Sequence, residues 1–114
     1  MKYMLQVRFN GADLKINDLP APERQAIFAE FEAIAHMPGV LDGNQLQPAS
    51  TATTVRLRND QTEVTEGPAV DPRAALDGYY LYDTSDLETA IALAERIPAT
   101  RLGAAVEIRP LVER

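Results

Sequence analysis

A chain of 114 residues, 46% hydrophobic and 25% charged, has the size and composition of one globular domain around one core, so residues 1–114 are expected to form a single domain. It has no cysteine and one histidine, which excludes disulfides, thiolate metal sites, cysteine nucleophiles and a histidine-rich metal centre; neither metal nor cofactor is expected. A net charge of −6 argues against nucleic acid as a partner, because phosphate binding draws on clustered Lys and Arg.

Residues 2–9 put Tyr3, Leu5, Val7 and Phe9 on one face and Lys2, Met4, Gln6 and Arg8 on the other, the period-two pattern of a half-buried strand. That immediate alternation is unlike a signal peptide, and no run of about 18 apolar residues exists to span a bilayer. A cytoplasmic protein without a membrane partner is expected. Asn10-Gly11-Ala12-Asp13 breaks the strand, and Leu19-Pro20-Ala21-Pro22-Glu23 opens a helix, with proline and an acid in its first turn. Ile27, Phe28, Phe31, Ile34 and Ala35 form that helix's buried stripe, and Pro38-Gly39 ends it.

Residues 40–47 are polar, extended and ambiguous. Thr53 to Arg58 alternates with β-branched residues and reads as a strand. Asn59-Asp60 then suits a tight turn, and Thr62 to Thr65 is the returning arm of a hairpin closed by Glu66-Gly67-Pro68. Residues 69–77 form a loop or one short helical turn. Gly78 to Asp83 is aromatic and apolar on both faces, as in a central strand. Ser85-Asp86-Leu87-Glu88 reads as a capping box, with Ser85 and Glu88 satisfying the first amides of a helix. Leu87, Ala90, Ile91, Ala94 and Ile97 form its buried stripe, and Ala105 to Arg109 is the last strand.

This order predicts an α+β fold, a ferredoxin-like β-α-β-β-α-β sandwich with an added β-hairpin and both helices on one face of an antiparallel sheet. The other face then carries Met4, Gln6, Arg8 and one register of the tyrosine strand. That is too much apolar surface to leave in water, and a homodimer stacking sheet against sheet is the economical solution.

Five short motifs, Met1 to Leu5, Gln45 to Pro48 with Thr51 to Arg56, Thr65 to Pro68, Gly78 to Leu81 and Val106 to Pro110, occur in the order in which the sequence resembles the YCII-related, or DGPF-domain, family. The resemblance runs nearly end to end and implies a ferredoxin-like domain forming dimers of the α+β barrel type. The family's Asp-Gly-Pro-Phe motif reads Glu66-Gly67-Pro68-Ala69 here, which keeps the turn and loses the aromatic. Better studied members carry a His and Asp pair suspected of catalysis, and His36 does not align with that histidine. The family's frequent association with extracytoplasmic-function sigma factors implies a regulatory connection.

Several side chains are candidates for chemistry. His36, at the end of the first predicted helix, is either a general acid or base or a cation facing the negative helix end. Asp42, Asn44 and Gln45 either bind a ligand from a polar segment or supply turn chemistry. Arg8, Arg56, Arg58 and Arg109 lie in polar strand registers, where they either converge on a carboxylate or phosphate or pair with Glu63 and Glu107. Glu66 and Asp77 flank the connection that the resemblance places near a cleft, as acids, bases or turn residues. Tyr79, Tyr80 and Tyr82 either line a pocket or fill core and interface. No phosphate loop or nucleophile elbow is present.

The catalytic candidates are therefore His36, Asp42 and Glu66, and the candidate ligand-binding set is Arg8, Asn44, Gln45, Arg56 and Tyr80. The expected function is small-molecule binding or cofactor-independent proton-transfer catalysis, as a lyase or isomerase, in a cleft of a homodimer. The competing expectation is a non-catalytic interaction or regulatory module.

Overall fold

The computed structural model describes residues 1–114. Six strands are present: β1 (Lys2–Arg8), β2 (Val40–Gln45), β3 (Thr53–Arg58), β4 (Gln61–Glu66), β5 (Gly78–Asp83) and β6 (Ala105–Pro110). The helices are α1 (Ala12–Asn17), α2 (Ala21–Ala35) and α3 (Leu87–Arg96), with short 3-10 turns at Ala49–Thr51, Pro72–Ala74 and Pro98–Leu102. Four strands form an antiparallel sheet in the order β2-β5-β1-β6, and β3 and β4 pair with each other as a separate two-stranded sheet. No helix is long and apolar enough to cross a membrane.

The alternation in β1 sets the core. Tyr3, Leu5 and Val7 are buried together with their β5 neighbours Tyr80 and Tyr82, and Ile27 and Ile34 of α2 and Ala90, Leu93 and Ala94 of α3 pack onto them. The helices thus share one sheet face. Across α3 the buried stripe keeps Ala90, Ala94 and Ile97 of the expected one and adds Leu93, while Leu87 and Ile91 are exposed. The helix also begins one residue later than expected. Asp86, and not the expected Ser85 and Glu88 box, caps it: its Oδ1 accepts from the Thr89 amide at 2.8 Å and the Thr89 hydroxyl at 2.7 Å. An aspartate competes well with a serine for this position, and using it moves the start by one residue.

Three local features complete the frame. The break at Asn10 and Gly11 is real, with φ of 49° and 87°, but it leads straight into α1, which packs against the 3-10 turn following α3. The ambiguous polar segment becomes edge strand β2, with a bulge between Val40 and Asp42. Asn59 and Asp60, with φ of 51° and 64°, make a two-residue hairpin turn whose twist matches the flanking strands.

The β3–β4 hairpin stands away from the core. Val55, Leu57 and Val64 are all more than 60% exposed, with Val55 directly opposite Val64. The radius of gyration is accordingly 16.0 Å, against about 13 Å for a compact chain of this length.

Candidate functional site

A cleft of about 260 Å³ opens between α2 and the helix-side face of β2 and β5. Its walls follow from helix and strand periodicity. Phe28, Phe31, Glu32 and Ala35 lie on one stripe of α2 at positions i, i+3, i+4 and i+7, and Tyr80 faces them from β5. The Tyr80 hydroxyl donates to the Phe31 carbonyl oxygen at 2.9 Å, tying sheet to helix across the cleft. Gly43 lies opposite Tyr80 on β2, where a Cβ would come within 2.6 Å of the Tyr80 ring carbon Cδ1. Only glycine leaves the ring this position.

Burial, and secondarily the negative charge of Glu32, push the Tyr80 phenol up to about 12. It is therefore a neutral donor near neutral pH rather than a base. Glu32 stands at the cleft with its Oε1 2.9 Å from His36 Nε2, both side chains about three-quarters exposed. A second cavity, also about 260 Å³, adjoins the first through shared Phe9, Phe28 and Gln45, and adds Asp13 and Asp77 to the lining. The Asp77 carboxylate accepts from the Phe9 amide at 2.7 Å, which fixes the crossing of strand and loop there.

The opposite sheet face carries a different set of polar groups. Tyr79 donates its hydroxyl to Asp42 Oδ2 at 3.1 Å and accepts from Asn44 Nδ2 at 3.0 Å. Arg8 Nε donates to Glu107 Oε1 at 2.9 Å. Beside these, Gln6 Oε1 and Arg8 Nη1 are buried with no hydrogen-bond partner, an arrangement that costs free energy unless something else supplies one.

The candidates named from sequence are thus dispersed. Tyr80 and Gln45 line the helix-side cleft, and Asn44 borders it while its side chain bonds to Tyr79 on the other face. Arg8 is on β1, whereas Arg56 is on the hairpin opposite Glu63, so the two arginines belong to separate sheets. Arg58 pairs with Glu63 at 3.4 Å. Asp42 belongs to the Tyr79 network, Glu66 is the exposed last residue of β4, and His36 caps the C-terminus of α2. Sequence reasoning did not single out Glu32, or Phe28 and Phe31 as cleft residues. Their signal was an aromatic pair at i, i+3 followed by a Glu–His pair at i, i+4, more apolar surface than one helix stripe needs.

A mixed α+β domain with a four-stranded antiparallel sheet, helices on one face and a cleft beneath the longest helix is the class this geometry defines. The chain belongs to the YCII-related domain family, whose profile matches residues 1–113. A comparison with curated proteins finds no match.

Proposed function

We propose that this chain is a small-molecule-binding domain of ferredoxin-like type, working as a homodimer with its ligand in the cleft between α2 and the sheet. The observation that carries the reading is the cleft itself: a concave, aromatic-lined space with a few polar groups at its edge, the usual anatomy of a ligand site. The strand order supports the fold assignment. With the hairpin set aside, the four main strands lie in the order second, third, first, fourth across the sheet, as in a split β-α-β sandwich.

The homodimer is supported by the open sheet face, where Met4, Tyr79 and Leu81 lie in neighbouring registers and are only partly buried. A second copy stacked on this face supplies apolar cover for them. If the site is catalytic, Glu32 and His36, in contact at the cleft's edge, are the pair able to move a proton, and a lyase or isomerase without a cofactor fits them. The exposed Val55, Leu57 and Val64 of the hairpin favour a second reading, an interaction module with a regulatory partner.

The cleft is tested by filling it. In a thermal-shift screen of small metabolites, ligands that stabilise the native chain should lose their effect on Ala35→Phe, which places a ring in the cleft. Ligands that stabilise both proteins equally would place the site elsewhere. Sedimentation of Leu81→Glu tests the dimer: a charge at the stacked face should yield monomer, and an unchanged dimer would exclude that face.

A further inference from the structure

Resting on the reading that the cleft holds the ligand, we infer that it selects a small aromatic or apolar molecule bearing a cationic amine, and disfavours carboxylates and phosphates. The walls argue for this first. Phe9, Phe28, Phe31 and Tyr80 line the cleft, and Phe28 is half exposed at its edge, where an aromatic is costly to leave in water. Aromatic faces carry negative potential and attract a cation lying within about 6 Å of the ring centre.

The charges argue the same way. Glu32 lines the first cavity and Asp13 and Asp77 the second, and no Lys or Arg lines either. The bases outside the linings point elsewhere: Lys15 Nζ donates to the Leu102 carbonyl, Arg24 to the Leu19 carbonyl, and Arg8 lies on the opposite sheet face with its Nε on Glu107. His36 touches only Oε1 of Glu32, leaving Oε2 without a hydrogen bond. An anion in the cleft meets the Glu32 carboxylate, with Asp13 and Asp77 in the adjoining cavity, and no Lys or Arg in either lining. An ammonium group meets carboxylates and ring faces together.

Size sets the rest of the ligand. A cavity of about 150 Å³ holds a benzene ring, so a cleft of about 260 Å³ takes one ring with a short arm, the arm ending near Glu32.

The test is an amide-resolved NMR titration of the full chain with three matched probes: 2-phenylethylamine, 2-phenylethanol and phenylacetate. The amine should perturb the Gly43, Gln45 and Gly78 amides and bind most tightly, with phenylacetate weakest. Glu32→Gln should weaken the amine about fivefold, the worth of one exposed charge pair at about 4 Å, while Glu88→Gln, which removes the same net charge from α3, should leave it unchanged. Glu32→Lys should move the preference toward phenylacetate. The inference is overturned if phenylacetate binds in the native cleft as tightly as the amine, or if Glu88→Gln weakens the amine as much as Glu32→Gln does. If none of the probes perturbs the cleft amides, the cleft reading falls and the charge preference with it; if the alcohol and the amine bind there equally, the cleft stands and only the charge preference falls.

Discussion

Replacing Tyr80 with phenylalanine separates the two contributions of this residue, because the ring stays and only the hydroxyl goes. At neutral pH the variant loses the 2.9 Å hydrogen bond to the Phe31 carbonyl, worth about 1 kcal/mol net for a neutral pair. For a chain of this length, that corresponds to roughly 4 °C in Tm. The pH dependence works in the opposite direction. Burial, then the Glu32 charge, raise the Tyr80 phenol to about 12 from an ordinary 10.0, so the unfolded chain ionises first as pH rises. The stability due to the protonated phenol is whole below about pH 10 and is lost progressively as pH climbs toward 12. Because the ring edges an open cleft, solvent screening reduces this to on the order of 1 kcal/mol by pH 11. Urea denaturation of both proteins at pH 7 and pH 11 measures it. The native chain should be the more stable at pH 7, and the gap should close or invert at pH 11. Equal midpoints at pH 7, or a gap that ignores pH, would refute the account of Tyr80 as a buried donor bracing the cleft.

Gly43→Ala should destabilise by about 1 to 3 kcal/mol, the usual cost of overpacking, since its Cβ would sit 2.6 Å from a ring that its own hydroxyl bond holds in place. Gly78→Ala, whose nearest contact is 3.1 Å, should cost less, and thermal denaturation of the two orders them. Asp86→Ala should lower Tm while Ser85→Ala hardly changes it, reversing the order expected if Ser85 were the cap. Hydrogen bonds from the Thr89 hydroxyl and amide hold the Asp86 carboxyl below its usual range. Its stabilisation is therefore present above about pH 4 and disappears as pH falls through the lowered value, so the Asp86→Ala deficit should vanish in acid melts.

The elements most legible in the sequence are those whose periodicity alone determines their environment. β1 reads directly as Tyr3, Leu5 and Val7 inward, α2 is bracketed by Pro20 and Gly39, and the hairpin is marked by Asn59-Asp60. Legibility falls where two neighbouring residues can do the same job. Ser85 and Asp86 are both good caps, and on α3 the spacing of apolar residues fits Leu87 and Ile91 as well as Leu93, which tertiary packing alone selects for the core. α1 is not legible because its six residues show too little period to distinguish a helix from the loop that precedes it. The cleft was less legible still. Whether Phe28 lines a cavity or fills a core depends on what lies opposite, and that is decided by β2, the least patterned strand in the chain.

The placement of β2 shows how a weakly patterned strand acquires its register. Tyr80 and Tyr82 are two residues apart on β5, but their opposites on β2, Gly43 and Val40, are three apart, and the extra residue is the bulge at Leu41. Glycines within β2 and just before it fit the strand to the tyrosines. Gly43 makes room for the Tyr80 ring, and Gly39, with φ of 89°, lies where a Cβ would be 2.6 Å from the Asp83 carbonyl and 3.0 Å from the Tyr82 ring. Because successive side chains on a strand point to opposite faces, a one-residue slip would move the Asn44 side chain to the cleft and take the Gly43 gap away from Tyr80. The steric fit of two glycines to two rings therefore fixes the register that hydrophobic alternation leaves open. That register sets both surfaces at once: Tyr80 bracing the cleft on one face, and Asp42, Asn44 and Tyr79 bonded together on the other.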